Sequence, residues 1–448
     1  MTTIEEGRAI ARLVDYEQGL VSRRIFSDPD IYQLELEQIF ARCWLYLGHE
    51  SQLPNRGDYI NVFMGEEPVL VVRNRQGKIN AFINSCRHRG NRVCRADAGN
   101  TASFLCTYHG WTYDLDGKLI GVPGHQELYH GELNREQWGL PQVAQVASYK
   151  GLIFGTFDPD APSLDEYLGN ARWALDLLLE QGDMVAVPGV ARWRMNANWK
   201  FATDNAGDMY HGNITHRSAR IAGHRAADGE RTPELFENRR RSIISGKVGR
   251  PGIVMLAEYG HHALGVYDDD DPNGPTNYWK RDPETAKRLG PLRVRLSRSN
   301  QNIFPNLWVN TGARELTLRQ PLSPTQLEIW KTTLVDRNAP PEARREFRFF
   351  SNRHFGPAGM FEMDDGENWD QSTYGTRGDV VRQYDLNYTM GAGHGEVIED
   401  ELGPPRIEQL FHEYAQRWLY GNWADYIAAP DWRHIREHHK RPKAGMVL

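Results

Sequence analysis

The chain has 448 residues, 40% of them hydrophobic and 25% charged, with a formal net charge of −6. That length can bury a large core and predicts two domains. The mildly acidic balance argues against nucleic acid as a partner, and no apolar run is long enough to span a bilayer.

The N-terminus, Met1-Thr-Thr-Ile-Glu-Glu, lacks the basic start and apolar stretch of a secretion signal. Together with only four cysteines (Cys43, Cys86, Cys94 and Cys106), this predicts a reducing, cytoplasmic setting. Residues 1–40 read as helical, because Ile31 to Phe40 spaces its apolar groups at helical intervals. From Trp44 to about Phe157 the pattern changes to short strands broken by Gly, Asn, Asp and Pro. Examples are Tyr59 to Phe63, Pro68 to Arg73 and Gly151 to Phe157, and Asp114-Leu-Asp-Gly117 predicts a hairpin turn. Pro159-Asp-Ala-Pro162 predicts a boundary, followed by a helix over Leu164 to Gln181 capped by Ser163. Beyond it, strands are expected at Trp308 to Asn310, Leu316 to Leu322 and Gln326 to Leu334. Helices are expected at Ala343 to Phe350 and Arg406 to Leu419. Asp268 to Pro275 reads as a solvated loop, and the basic run His434 to Lys443 as an exposed tail. No internal repeat is present.

Two short segments carry the chemistry. Cys86-Arg-His88 and Cys106-Thr-Tyr-His109 each pair one thiol with one imidazole, with seventeen residues between the pairs. Zinc fingers usually group cysteines in one half and histidines in the other. A Rieske [2Fe–2S] centre needs two Cys on one iron and two His on the other, and two such loops can clamp it from both sides. Neutral imidazoles in place of thiolates raise the reduction potential and suit the site to one-electron transfer. Gly90 and Gly110 follow the histidines and permit tight loops close to the cluster. Cys94 is not needed as a ligand, and Cys43, beside Trp44, reads as core.

The second constellation runs from Asn198 to His216. His211 and His216 are five residues apart, about 140° around a regular helix, so one metal can take both only if the backbone unwinds between them. Gly212-Asn213 is the expected place. Two histidines and one carboxylate on one face of Fe(II) leave the other face open for O₂ and substrate. From the residues alone, Glu362, Asp364, Asp365 and Glu367 all remain candidates for that carboxylate. Buried structural histidines are the competing reading.

Across nearly its whole length the chain resembles the large (α) subunit of Rieske non-haem iron aromatic-ring-hydroxylating dioxygenases, the benzene, biphenyl and naphthalene dioxygenase group. The resemblance is carried by Ile31-Tyr-Gln-Leu-Glu-Leu-Glu37, Cys86-Arg-His-Arg-Gly90, Tyr108-His-Gly-Trp-Thr112, Tyr149-Lys-Gly-Leu-Ile-Phe154, Asn198-Trp-Lys200, Asp208-Met-Tyr-His211 and Asp364-Asp-Gly-Glu-Asn-Trp369. It implies an α+β fold: an all-β Rieske [2Fe–2S] domain (41–158), and a larger α/β catalytic domain (159–448) with an antiparallel sheet and helices around a mononuclear iron. Residues 1–40 would pack on the catalytic domain. It implies Cys86, His88, Cys106 and His109 as cluster ligands, His211, His216 and Asp365 as ligands of the mononuclear Fe(II), and Asp208 as the acid linking the two centres. The implied reaction is cis-dihydroxylation of a mono- or polycyclic arene or aromatic acid in aromatic catabolism. It implies a small β subunit in an α3β3 assembly, and electrons from NADH through a separate reductase or ferredoxin. The chain itself carries no GxGxxG turn after a strand.

Met209, Gly212, Phe355 and Phe361 are the expected pocket residues, from their places beside the ligands. Arg217, Arg220, His224 and Arg353 lie near the iron segments in sequence; one of them pointing inward would favour an aromatic carboxylate as substrate. Between Trp199 and Asp208 the chain is one residue shorter than the benzene and biphenyl enzymes, which leaves the pocket alignment of Asp204, Asn205 and Ala206 open. The competing readings are a Rieske monooxygenase (a hydroxylase or O-demethylase), a pure electron carrier and a structural zinc protein. The long second segment with its own ligand set argues against the last two.

Overall fold

The computed structural model describes residues 4–222, 252–267 and 275–447. The chain divides into two compact units, Phe40–Leu164 and the combination of Met1–Ile39 with Asp165–Leu448.

The smaller unit is built from antiparallel strands. Ile79–Ile83, Glu67–Arg73, Asp58–Met64 and Ala98–Asn100 form a four-stranded sheet in that order. Gln145–Tyr149, Leu152–Thr156 and Leu45–His49 form a second sheet, and Leu119–Gly121, Thr112–Tyr113 and Phe104–Leu105 a third. Val69, Leu70, Val71 and Val72 are all buried, as an aliphatic run covered on both faces should be. The turn expected at Asp114 to Gly117 is present. Gly117 has a φ of +75°, and its N–H donates to the Asp114 carbonyl at 3.1 Å. Leu70, Val72, Phe82, Val93, Phe104, Trp111 and Tyr113 pack into one core that also takes in Cys86 and Cys106.

The larger unit is organised by one antiparallel sheet of ten strands. Its centre runs through Gln326–Asp336, Glu315–Ser323, Leu307–Asn310, Leu296–Ile303, His262–Tyr267 and Gly252–Leu256. The central strands are buried on both faces, because helices cover the sheet. Three helices matter for the site: Trp199–Asp204, Met360–Tyr374 and Tyr414–Ala428. Asn198 caps the first, its side chain accepting from Lys200 N at 2.9 Å. The same helix is tied down by Glu35. That carboxylate accepts from Trp199 Nε1 and Trp423 Nε1, both at 2.8 Å, and from Lys200 Nζ at 2.5 Å.

Several local expectations change. Residues 1–40 are not helical throughout: Val14–Asp15 and Leu20–Val21 pair as short strands between the helices Ile4–Ala11 and Pro29–Glu35. The single helix expected over Leu164 to Gln181 is two, Leu164–Leu168 and Ala171–Leu179. Gly169 breaks it with a φ of +46°, and Glu258 takes the freed Asn170 N–H at 2.8 Å. Arg406 to Leu419 does not form one helix. Pro404 and Pro405 hold the chain extended, Gly403–Ile407 pairs with Gly252–Leu256, and the helix starts only at Tyr414. Much of the supposed basic tail is the helix Trp432–His438, pinned by the buried Trp432 and by Arg436 on Glu166 at 2.6 Å. The loop expected at Asp268 to Pro275 lies almost wholly outside the described residues.

Candidate cluster and metal sites

In the smaller unit, the Cys86 and Cys106 loops are copies of one backbone design. Cys86 N donates to Asn91 O at 2.8 Å and Gly90 N to Cys86 O at 2.8 Å. Cys106 N donates to Trp111 O at 2.8 Å and Gly110 N to Cys106 O at 2.9 Å. Gly90 and Gly110 both have a φ of +74°, so a side chain at either position would be strained. Both cysteines are buried and unbridged. The His88 and His109 rings lie 4.5 Å apart, and His88 stacks on Trp111 at 5.0 Å.

Polar groups converge on the sulfurs. The Tyr113 hydroxyl accepts Arg87 N–H at 3.1 Å and so directs its own proton to Cys86 Sγ at 3.3 Å. Burial pushes the Cys86 thiol up. Burial also acts to raise Cys106, but the Tyr108 and His109 N–H groups and the Asn91 amide outweigh it and hold that thiol low. His88 is pushed down by burial and by the neighbouring His109. Its Nδ1 is buried and has no hydrogen-bond partner among the described residues. Two thiols and two imidazoles, one nitrogen left unsatisfied, fit a [2Fe–2S] group and do not fit a closed protein hydrogen-bond network.

In the larger unit, three donors converge on one point. His211 Nε2 and His216 Nε2 each lie 3.4 Å from Asp365 Oδ1, and ligand atoms of the three residues all fall within 4.8 Å of one another. The backbone between the histidines is unwound, as their spacing requires: His211–Asn213 is a single 3-10 turn, and helix resumes only at Arg217. Asp365 comes from Met360–Tyr374, which packs so closely on the strand Ala191–Met195 that a Cβ at Gly366 would sit 2.6 Å from Met195. Burial pushes the Asp365 carboxyl up to about 7, against the pull of His211. Burial acts to lower His211, but Asp208 and Asp365 outweigh it and raise it to about 9. Two imidazoles and a carboxylate with facing lone pairs form a donor set suited to a divalent transition metal.

The rival carboxylates do not reach the point where the two Nε2 atoms meet; Asp364 approaches His216 from the Nδ1 side instead, at 3.7 Å. Asp364 accepts from Ser218 Oγ at 3.0 and 3.2 Å, and Glu367 faces Gln371 on the exposed side of the helix. Glu362 is buried opposite Arg319 and Lys331. Asp208 Oδ2 lies 2.9 Å from His211 Nδ1.

Residues 43–149 match the Rieske [2Fe-2S] domain, and residues 164–420 match the ring hydroxylating alpha subunit (catalytic domain). The chain belongs to the α-subunit family of Rieske ring-hydroxylating dioxygenases. It is 40% identical to the biphenyl 2,3-dioxygenase α subunit of Rhodococcus jostii (strain RHA1), over 94% of this chain and 92% of that one. Identity to the benzene 1,2-dioxygenase α subunit of Pseudomonas putida (strain F1) is also 40%, over 94% of each. A naphthalene 1,2-dioxygenase variant solved with phenanthrene superposes with a TM-score of 0.85 at 30% identity, covering 95% of this chain and 96% of that one. This α subunit is therefore an oxidoreductase that cis-dihydroxylates an aromatic ring in aromatic catabolism, and the monooxygenase alternative is not favoured. Its cofactors are one Rieske [2Fe–2S] cluster and one mononuclear non-haem iron, and in this family electrons come from NADH through a reductase. As the large component of a multi-component system, it works with partner proteins. No helix among the described residues is long and apolar enough to cross a membrane.

The expected pocket residues divide. Phe361 meets the His216 ring edge-on at 4.6 Å, and Phe355 lies 6.2 Å from Phe361. A Cβ at Gly212 would meet nothing within 4 Å, which leaves space beside His211. Met209 packs instead against the core that includes Val254, Leu264 and Trp418. Arg217 is exposed, Arg353 lies over the Phe349 ring at 5.5 Å, and the His224 and Arg220 side chains fall outside the described residues. Residue patterns gave no hint of Trp308 (5.3 Å from Phe355), of His354 (stacked on Phe361 at 5.1 Å) or of buried Arg319. Strand and helix residues of those types are ordinary core material until the fold brings them to the site.

Proposed function

We propose that Cys86, His88, Cys106 and His109 hold the cluster and that His211, His216 and Asp365 hold the mononuclear iron. The observation that supports the second assignment best is the common 3.4 Å approach of both Nε2 atoms to one Asp365 oxygen. When bound, the iron supplies the open coordination face at which O₂ is activated beside the substrate. Asp208 holds the His211 ring by Nδ1, fixing its tautomer and leaving Nε2 to face the metal. Its side chain stays 28% exposed. In our reading that exposure lets it face His109 of a neighbouring copy of the chain in an α3β3 assembly with a small β subunit, and electrons cross there. His109 is likewise partly exposed, beside the exposed Tyr108.

Phe361, Phe355 and Trp308 offer apolar faces on the His216 side, and Gly212 leaves room on the other. We assign the substrate as an uncharged mono- or bicyclic arene from this apolar lining; among the described residues Arg217 is exposed and Arg353 lies over the Phe349 ring. The working domains are 1–40 with 159–448 for catalysis and 41–158 for the cluster. The setting is the cytoplasm, with a reductase, with or without a ferredoxin, as electron donor.

The test is a single turnover of the reduced, iron-replete protein with ¹⁸O₂ and a panel of monocyclic, bicyclic and carboxylated arenes. Two labelled atoms in one dihydrodiol, from an uncharged arene, are expected. Dihydroxylation of the acids alone overturns the substrate assignment. Metal analysis should give about three irons per chain, two in the cluster and one mononuclear.

A further inference from the structure

Dihydroxylation needs protons as well as electrons: one arene, one O₂, two electrons and two protons give one cis-dihydrodiol. The electrons come from the reductase, and the protons must come from solvent through the protein. Taking the metal site at His211, His216 and Asp365 as assigned above, we propose that Asp204 is the proton-relay residue for this reaction. Protons enter through Tyr388 and Tyr420 and leave from the free carboxylate oxygen toward the Asp208–His211 side of the site.

The geometry has an input and an output. Asp204 Oδ2 accepts from the Tyr420 hydroxyl at 2.6 Å and the Tyr388 hydroxyl at 3.2 Å, and the two phenol oxygens lie 3.4 Å apart. Oδ1 receives no hydrogen bond from any described residue, and the side chain is only partly buried, so that oxygen is open to water. Tyr420 is fully enclosed on Tyr414–Ala428, whereas Tyr388 is 9% exposed and its neighbour Asn387 faces solvent, which makes Tyr388 the outer end. Asp204 closes the Trp199–Asp204 helix, and a single 3-10 turn, Asn205–Gly207, separates it from Asp208. Four residues of such a turn rise only about 8 Å, a gap that one or two waters span. Gln416 Nε2 fixes the Asp204 backbone by its carbonyl at 3.3 Å.

Burial drives the Asp204 carboxyl upward. The Tyr420 hydroxyl opposes this, the charge on Asp208 adds to it, Tyr388 opposes, and Glu413 adds, leaving the group at about 7. Both protonation states are thus accessible at neutral pH. Both phenols are held well above 10, so they do not rest as phenolates. Each cycle is a concerted hop. The Asp204 acid releases its proton on the site side. The resulting carboxylate takes one from a phenol, which takes one from the solvent end. After each hop the carboxyl turns to carry its new proton from the phenol side to the site side, and two such cycles supply one diol with no net change in the relay. A purely structural Asp204, anchoring two tyrosines, makes none of these demands.

The experiment uses the complete oxygenase with its electron donors and compares wild type with Asp204→Asn, Tyr420→Phe, Tyr388→Phe and, as a metal control, His211→Ala. Infrared difference spectra against pH, taken without turnover, should show a carboxylic-acid C=O band titrating near neutrality. Asp365 and Glu315 contribute to the same region, so the Asp204 component is read as the part of the band that is lost in Asp204→Asn and shifted in Tyr420→Phe. Asp204→Asn should keep its iron and bind substrate within about twofold of wild type. It should lose about tenfold or more in kcat, with a larger solvent isotope effect and no alkaline limb in the pH–kcat profile. Tyr388→Phe, milder in packing, should also raise the isotope effect. An unchanged profile in Asp204→Asn, with iron lost from His211→Ala, overturns the relay alone. Iron retained in His211→Ala overturns the metal assignment and the relay with it.

Discussion

Asp208 Oδ2 stands 2.9 Å from Nδ1 of His211, on the side of the ring opposite Asp365. A second Asp208 oxygen accepts the Tyr210 N–H at 2.5 Å, so the carboxylate is fixed from its own backbone. Burial acts to raise Asp208, but His211 outweighs it and holds the group below the usual carboxylate range. The acid is therefore an anion placed to orient the His211 ring.

Asp208→Asn keeps the shape and removes the charge. It should retain the mononuclear iron within about tenfold of wild-type affinity. Product formation driven by the natural electron donors should nearly vanish, while the cluster is still reduced at the normal rate. Parallel metal analysis, stopped-flow cluster reduction and product assay check this, and coupled turnover near the wild-type rate rules the role out.

Glu35 and Lys200 form an ion pair with side chains 0% and 1% exposed, and two tryptophan N–H groups complete the carboxylate's partners. Burial pushes Lys200 down, and the Glu35 carboxylate beside it opposes that shift. Glu35→Gln should cost about 3–5 kcal/mol in the larger unit, since it strands a buried ammonium. The double replacement Glu35→Leu with Lys200→Met should recover part of that loss. Urea unfolding followed by tryptophan fluorescence reads both, and a single variant no weaker than the double one contradicts the argument.

What could be read in advance follows sequence distance. Each cluster loop closes within six residues, Cys86 to Asn91 and Cys106 to Trp111, so its ligand types and glycines stand together in the chain. The His211 to His216 spacing announced an unwound turn for the same local reason. Asp365, the third metal donor we propose, did not stand out among four acids, because the choice depends on which side of Met360–Tyr374 faces the sheet. Asp204 meets Tyr388 and Tyr420 across 184 and 216 positions, and Glu35 meets Trp423 across 388, so no window of sequence displays them. The apolar spacing around Arg406 imitated a helix, but Pro404 and Pro405 and a sheet partner at Val254 decided for strand.

Tyr113 should tune the cluster. Its hydroxyl donates toward Cys86 Sγ at 3.3 Å, and such a bond favours the reduced, more negative cluster. A hydrogen bond worth about 0.5–1.5 kcal/mol corresponds to roughly 20–65 mV for one electron. Tyr113→Phe should lower the midpoint potential by that order while leaving the cluster's absorption intact. Protein-film voltammetry measures it, and an unchanged or raised potential refutes the assignment.

His261 makes stability depend on pH in a direction that can be isolated. Its Nε2 lies 2.8 Å from the Tyr167 carbonyl, to which it donates, while Nδ1 accepts the Phe304 N–H at 2.9 Å. A second ring proton has nowhere to go. Burial holds the imidazole down to about 3, with the Tyr167 carbonyl opposing and His262 assisting. The unfolded histidine, at 6.5, takes up a proton that the folded one refuses, so His261 loses stability for the protein as pH falls from 6.5 toward 3. Half-buried Asp204 and buried Glu315, both raised to about 7, act oppositely over much of this range, and the total curve therefore hides the effect. Subtracting the stability of His261→Gln from wild type removes the shared terms. The difference should climb by about 1.4 kcal/mol per pH unit between roughly pH 3 and 6.5 and be flat above that. Denaturant unfolding of both proteins across this range supplies the difference. A flat difference throughout means that His261 is protonated in the folded state, contrary to its hydrogen bonds.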